Sequence, residues 1–169
     1  TGKNIPLPSE LYLPDRINSR GFDIGNLAHK THLQNVLNDN FVDKIEAKSI
    51  TKIKDFDNSL NIDGVVAEAK KEFDAWGNRT FAERALLLEK WADELNNNYD
   101  NLLNILCHEA HKIAKDGIAE VKEAIDFLRF YAAKARSLDE AEECRGYTGE
   151  KSILIHKPKG VFGCISPWN

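Results

Sequence analysis

The stretch Gly160-Val-Phe-Gly-Cys-Ile-Ser-Pro-Trp-Asn169 decides the fold that this sequence predicts. Between a glycine and a Ser-Pro break it carries an apolar run made of Val161, Phe162, Cys164 and Ile165. Such a run, bounded by turn signals, is typical of a strand buried on both faces of a parallel sheet. Pro167 ends the strand because it brings no backbone N–H to a ladder. Since ligands bind at the carboxyl edge of open parallel sheets, Trp168 and Asn169 are predicted to lie beside a ligand site.

The segment upstream of this strand is helical. From Asp63 onward, apolar residues recur at helical spacing until Gly77 closes the first helix. Its stripe consists of Val66, Ala69, Phe73 and Trp76. Trp76 could stack on a ligand, but its place in the stripe predicts a core residue.

Three more helices are predicted between Thr80 and Ser137. Thr80-Phe81-Ala82-Glu83 is a capping box, and the three asparagines from Asn96 to Asn98 end the helix that it starts. The next helix covers Tyr99 to His108, and Asp116 is expected to cap the last one. The apolar residues of the three helices are, in turn, Leu87, Leu88, Trp91 and Leu95; Leu102, Leu103, Leu106 and Cys107; and Ile118, Val121, Ile125, Leu128, Ala132 and Ala135.

A hairpin is expected between the helices and the final strand. Residues 139–145 read as a polar connector, and Tyr147-Thr148 and residues 152–156 flank Gly149-Glu150. Glycine at the first loop position fits a type II′ turn. Lys157-Pro158-Lys159-Gly160 is a turn with Pro at its second position and Gly at its fourth.

The first sixty residues carry weaker signals. Residues 1–25 are predicted to be extended, either as a tether between two domains or as a loose end, and a short helix is predicted over 26–37. Within that helix His29 and His32 would share a face, either as two ligands of a metal or as solvated surface. Residues 44–53 alternate weakly, which favours an edge strand.

Composition excludes several classes of protein. The chain has 169 residues and a net charge of −4, with cations interspersed among carboxylates, which argues against a nucleic-acid surface. The sequence contains no apolar stretch of the roughly 20 residues that a membrane span needs, and its start lacks a signal-peptide core. Three scattered cysteines predict reduced thiols and a cytoplasmic setting. The absence of methionine, together with the ending, predicts a piece of a longer protein.

Other groups that could carry chemistry have a structural interpretation as well. Cys107, Cys144 and Cys164 lie on an apolar helix face, in a polar connector and in the buried strand, and a buried cysteine usually acts as a small hydrophobe. Cys107, His108 and His111 form a Cys-His-x-x-His pattern without an evident fourth metal ligand. The two Gly-x-x-Gly pairs are too short for a phosphate-binding loop.

The sequence resembles the aldehyde dehydrogenase family. The resemblance is carried by the strand ending in Pro-Trp-Asn and, upstream, by Arg84-Ala85-Leu86-Leu87-Leu88, Glu109-Ala110-His111-Lys112 and residues 120–132. Residues 5–8 and Asn18-Ser19-Arg20-Gly21-Phe22-Asp23 also resemble the lead-in to the glutamate-semialdehyde dehydrogenase of its bifunctional branch, which adds a proline dehydrogenase. The sequence departs from the family at His111, usually glycine, and at Lys159, usually apolar.

The resemblance implies an NAD-dependent oxidation of glutamate γ-semialdehyde, the open form of pyrroline-5-carboxylate, to glutamate. It makes Asn169 the catalytic donor to the oxyanion, and places Ile165, Ser166, Pro167 and Trp168 along the cofactor cleft. The nucleophilic Cys and the general-base Glu are implied downstream of Asn169. FAD is implied only for a proline dehydrogenase domain, and the parent is implied to be a homo-oligomer acting on a small aldehyde.

The implied fold is an α/β aldehyde dehydrogenase, with a doubly wound cofactor domain, a catalytic domain and an oligomerisation flap. This piece is expected to be mostly α with a few strands. Residues 1–60 form the lead-in, 61–138 the helical part of the cofactor domain, 139–159 the hairpin of the flap, and 160–169 the first cofactor-domain strand. An aldehyde dehydrogenase with another substrate and a non-catalytic helical interaction module are the alternatives.

Overall fold

A computed structural model of the chain describes residues 5–38 and 61–165. The described part is mostly α-helical with two short strands, as predicted. Its helices are α1 Leu27–Asn38, α2 Ile62–Gly77, α3 Phe81–Asn97, α4 Tyr99–His108 and α5 Ala114–Ser137, after one 3₁₀ turn at Pro8–Glu10. The strands are β1 Glu142–Cys144 and β2 Ser152–Leu154. No helix in this part of the chain is long and apolar enough to cross a membrane.

The core lies between α3, α4 and α5, with α1 packed on α4. Leu103 and Ile125 are fully buried, and burying a side chain of this size stabilises a fold by about 1.5–3 kcal/mol. Three buried side chains of α3 and α5 are small, namely Ala85, Ala92 and Ala132. Small side chains allow the two helices to lie close together along their length.

A side-chain cap fixes the start of α3, whereas α4 and α5 begin without one. Thr80 Oγ1 accepts a hydrogen bond from the Glu83 amide at 3.1 Å, and Glu83 Oε2 accepts one from the Thr80 amide at 2.8 Å. These two bonds form the predicted capping box at the start of α3. The predicted cap of α5 is wrong, because Ile113 is the N-cap and Asp116 lies inside the first turn. A carboxylate there still favours the positive end of the helix dipole.

The predicted apolar stripe of α2 does not reach the core. No residue of this helix is buried, and the exposed fraction of Trp76 is 46%. The expectation of a core tryptophan is therefore wrong, because α2 packs against none of the other described helices. Trp91 and Leu87 on α3 are exposed for a different reason, since Ala85 and Ala92 turn the buried face of that helix away from them.

The hairpin forms, but one strand begins earlier than predicted. β1 pairs with β2 in antiparallel fashion, with Glu143 opposite Ile153, so residues 142–144 are a strand and not a connector. All three β1 residues are exposed, so they carry no alternation that a sequence could reveal. The Glu150 amide donates to Tyr147 O at 3.0 Å, and Gly149 with φ +94° is the third residue of that turn. This is the glycine position of a type II turn, and the type II′ expectation is wrong.

The predicted final strand is not formed across residues 161–165. Phe162 and Cys164, expected to be buried in it, are exposed. A strand of a parallel sheet is stabilised by neighbours on both sides, and among the described residues no strand lies beside this segment.

The N-terminal helix follows the prediction, whereas the lead-in before it is docked rather than loose. Asn26 Oδ1 caps α1 by accepting from the Ala28 amide at 2.9 Å. Ser19 is 6% exposed, and Phe22 packs against the core. The edge strand predicted at 44–53 lies outside the described residues.

Candidate functional site

The predicted ligand site lies at the C-terminal end of the described chain. Ile165 is described and is 96% exposed. Ser166, Pro167, Trp168 and Asn169 lie outside the described residues, so the roles of these four side chains remain predictions. What the structure shows is how the chain approaches them.

Two glycines and a proline set this approach. A Cβ added at Gly77, the last residue of α2, would lie 3.0 Å from Pro158 Cγ, so the segment after the hairpin crosses closely over the end of α2. Gly160 has φ +135°, a conformation that side-chain-bearing residues rarely adopt. The chain is thus redirected at Gly160, immediately before the apolar run that leads to the site.

The cysteines do not form a nucleophilic or metal centre with other described groups. Cys107 is half-buried, and burial raises the pKa of its thiol. A raised pKa keeps the thiol protonated at neutral pH, which disfavours it as a nucleophile. Cys144 and Cys164 are exposed. Across residues 5–38 and 61–165, no three His, Cys, Asp or Glu side chains are placed to hold a metal ion.

His29 and His32 are used within the chain. His29 Nδ1 accepts a hydrogen bond from the Asp23 amide at 3.0 Å, and His32 Nε2 lies 3.0 Å from Asp100 Oδ2. The His32 ring also stacks on Phe22, with centroids 5.7 Å apart. The two histidines therefore attach the lead-in and α1 to α4, a structural role that helical spacing alone could not distinguish from metal binding.

His111 occupies a turn that favours glycine. Its φ is +55°, and the following amide, that of Lys112, donates to Leu106 O at 3.0 Å across the end of α4. The helix thus ends on a residue in the left-handed conformation, a position that is usually glycine. Lys112 Nζ then pairs with Glu120 Oε1 at 2.5 Å, which ties the turn to α5. The departure at His111 thus keeps the turn geometry.

A cleft of about 770 Å³ lies between residues 12–16 and the C-terminal half of α5, and so belongs to the lead-in rather than to the C-terminal stretch. Phe130 and Lys134 line it, as does Arg136, which forms two hydrogen bonds to Glu89. It exists because the lead-in docks on α5.

Sequence reasoning missed the residues that hold the lead-in. Asp126 and Arg129 of α5 bind Ser19 and Ile17, more than 100 residues earlier. A signal was present, because Lys122, Asp126 and Arg129 share one face of α5 at spacings of four and three. Polar residues in such a row are usually solvated, so the row alone does not indicate a binding face.

Comparisons with known proteins agree with this architecture. The aldehyde dehydrogenase family profile matches residues 32–169. The bifunctional protein PutA of Escherichia coli is 32% identical over 98% of this chain, which spans only 13% of the length of that protein. The 1-pyrroline-5-carboxylate dehydrogenase 1 of Halalkalibacterium halodurans is 36% identical over 62% of this chain and 20% of its own length.

A solved structure shares the fold as well as the sequence. A crystal structure of bifunctional proline utilization A superimposes with a TM-score of 0.79 at 31% identity, covering 94% of this chain and 16% of that one. The family profile, the PutA relative and the shared fold all extend over most of the chain. The chain therefore belongs to the aldehyde dehydrogenase family.

Proposed function

We propose that this chain is part of an NAD-dependent dehydrogenase that oxidises L-glutamate γ-semialdehyde to glutamate in the breakdown of proline. The observation that carries the proposal is the similarity to bifunctional PutA along 98% of the chain, including the lead-in before the family match begins. The 36% identity to a 1-pyrroline-5-carboxylate dehydrogenase supports the link to proline breakdown. We further propose that the intact protein also carries a proline dehydrogenase domain.

The proposed chemistry gives Asn169 the role of an oxyanion donor. A thiolate attacks the aldehyde carbon, and the carbonyl oxygen becomes an anion in the tetrahedral adduct. A carboxamide N–H aimed at that oxygen stabilises the developing charge. The thiolate and the base that activates water are proposed to come from residues of the intact protein beyond this chain.

The proposed enzyme would bind its nicotinamide cofactor beside Ile165 to Trp168. Ile165 and Phe162 expose apolar surface, and among the described residues no atom lies within 4 Å of a Cβ built at Gly163. The flat face of an aromatic ring can pack on such a surface. Ile165, Ser166, Pro167 and Trp168 would line the cleft, and the bound nicotinamide would accept the hydride.

The test supplies the intact protein with NAD and either glutamate γ-semialdehyde or succinate semialdehyde, and follows NADH absorbance. The proposal expects a higher kcat/KM for glutamate semialdehyde. A preference for succinate semialdehyde would instead support the alternative of an aldehyde dehydrogenase with another substrate. If no aldehyde reduces NAD or NADP, the protein would instead be the non-catalytic helical module.

A further inference from the structure

The lead-in follows one face of α5 in an orderly way. A Cβ added at Gly21 would lie 3.1 Å from Lys122 Nζ, the Ser19 amide lies 2.7 Å from Asp126 Oδ1, and Ile17 O lies 3.2 Å from Arg129 Nη1. From one of these positions to the next, the residue number falls by two in the lead-in, from 21 to 19 to 17. In the helix it rises by four and then by three, from 122 to 126 to 129. The two segments therefore run antiparallel.

This spacing has a simple geometric origin. Two residues of extended chain advance about 6.6 Å. Three to four residues of helix advance about 4.5–6 Å. Alternate residues of an extended segment can thus contact successive turns of a helix. The hydrogen bonds at Ile17 and Ser19 follow this spacing, and so does the close approach of Lys122 to Gly21.

The contact at Ser19 involves both its backbone amide and its side-chain hydroxyl. Asp126 Oδ1 accepts from the Ser19 amide, and Asp126 Oδ2 accepts from the Ser19 hydroxyl at 2.9 Å. Both carboxylate oxygens are therefore occupied by one residue. Hydrogen bonds to an ionised carboxylate are stronger than those between neutral groups, and Ser19 is almost fully buried here.

Arg129 extends the attachment to a second helix. Its Nη1 donates to Ile17 O, and its Nη2 lies 3.1 Å from Asp93 Oδ1 on α3. The side chain of Arg129 is 15% exposed, whereas that of Asp93 is 64% exposed, so the ion pair itself lies at the surface and contributes little. One guanidinium thus joins α3, α5 and the lead-in.

Aromatic contacts hold both ends of this segment. Arg16 lies over the Tyr12 ring at 3.7 Å and over Phe130 of α5 at 5.8 Å. Phe22 packs on Tyr99 of α4, with ring centroids 5.5 Å apart. Residues 16–22 are thus anchored at each end and hydrogen-bonded between, although they form no helix or strand.

We propose that residues 16–22 are a docked strap, recognised by Asp126 and Arg129, that fixes the path by which the chain enters this domain. A neighbouring domain on the N-terminal side would then be held at a set separation rather than on a flexible tether. The identity of that neighbour, a proline dehydrogenase domain, rests on the proposed function, whereas the docking does not.

Trypsin tests the docking, because it should cut after Arg16 and Arg20 faster when the backbone of the strap is released from α5. We expect Asp126→Asn to be cut at these two sites at least tenfold faster than the unsubstituted chain, and Ser19→Ala to be intermediate. Glu123→Gln, an exposed carboxylate on the same helix, is the matched control and should be cut at the unsubstituted rate.

Circular dichroism accompanies the cleavage assay and shows whether each variant keeps its helices. If Asp126→Asn keeps its helices and is cut at the same rate as the unsubstituted chain, the proposal that Asp126 holds the strap on α5 is wrong. If Asp126→Asn loses helix content, the Ser19→Ala variant provides the test instead. Cleavage of Ser19→Ala at the rate of the unsubstituted chain would then overturn the proposal.

Small-angle scattering of the intact protein tests the separation. Asp126→Asn should increase the radius of gyration, whereas Glu123→Gln should not. If Asp126→Asn is cut faster in the strap but its radius of gyration is unchanged, the strap does not fix the separation of the two domains. Neither assay contains an aldehyde, so a failure of the proposed enzymatic function would not be mistaken for a failure of the strap.

Discussion

The turn that follows α4 contains a residue other than glycine with a positive φ. His111 adopts φ +55° in a turn where glycine is the usual residue, and a left-handed conformation costs a side-chain-bearing residue roughly 1–2 kcal/mol. Glycine removes that cost but gains freedom in the unfolded chain, worth about 0.5–1 kcal/mol.

We therefore expect His111→Gly to raise the free energy of unfolding by about 0.5–1 kcal/mol, the difference between these two effects. Urea denaturation measures this change. His111→Ala is the control, because it keeps a Cβ and should not stabilise the chain. A Gly variant that is less stable than the Ala variant would show that the turn is not strained.

The capping box of α3 gives a pH-dependent prediction at the scale of an element. Hydrogen bonds from the Thr80 amide and then from its hydroxyl hold the pKa of Glu83 below its usual range. A carboxylate whose pKa is lowered by folding contributes stability above its unfolded pKa, about 4.3, and loses it as pH falls through the folded pKa.

We expect Glu83→Ala to lower the melting temperature at pH 7, with the gap to the unsubstituted chain closing between pH 5 and the folded pKa of Glu83. Glu83→Gln can accept the same hydrogen bonds but does not titrate. Its melting temperature therefore shows how much of the stabilisation comes from the hydrogen bonds and how much from the charge of Glu83. Thr80→Ala should cost about 1 kcal/mol at pH 7. A Glu83→Ala gap that stays constant from pH 7 to pH 3 would contradict this account.

The elements that sequence predicted well are those with local signals. The Thr80 box, the asparagines that end α3 and the 3.6-residue stripe of α5 lie within the segments that they organise, so α3, α4 and the end of α5 agree with prediction. The failures depend on distant residues. Whether Trp76 is buried depends on what packs against α2, and a strand at residues 161–165 needs neighbouring strands.

The candidate site could be predicted from the sequence less completely than the helices. Spacing and strand edges indicate where a ligand could bind, but the role of Asn169 came from family resemblance. The lead-in shows the same limit, because no pattern within residues 16–22 indicates that Asp126 and Arg129 will bind them. Contacts between residues more than 100 positions apart are fixed by the packing of the whole chain.

At the scale of the whole molecule, the described residues divide into a packed and an open part. Helices α3 to α5 share a core, whereas α2 packs against no other described helix and residues 155–165 form no ladder. Segments with few buried contacts open at low free energy. We therefore expect slow amide hydrogen exchange in α3–α5 and fast exchange in α2 and residues 150–165 of the dilute monomer. If residues 150–165 were the best protected, this division would be wrong.

The proposed oxyanion donor acts only in the complete enzyme, so the most direct test uses the intact protein. The measurement is kcat for glutamate γ-semialdehyde with NAD, together with the melting temperature. Losing one oxyanion donor costs roughly 10²–10³ in kcat, about 3–4 kcal/mol. The donated bond strengthens as the oxygen becomes anionic, so the loss should fall on kcat more than on substrate binding.

We predict that Asn169→Ala lowers kcat by about this factor while the melting temperature stays close to that of the unsubstituted protein, because the side chain is expected at the end of a strand. Asn169→Asp should be at least as slow, since a carboxylate repels the developing charge. A kcat near the unsubstituted value for Asn169→Ala would remove Asn169 from the mechanism, and a collapsed melting temperature would make it a turn-forming residue instead.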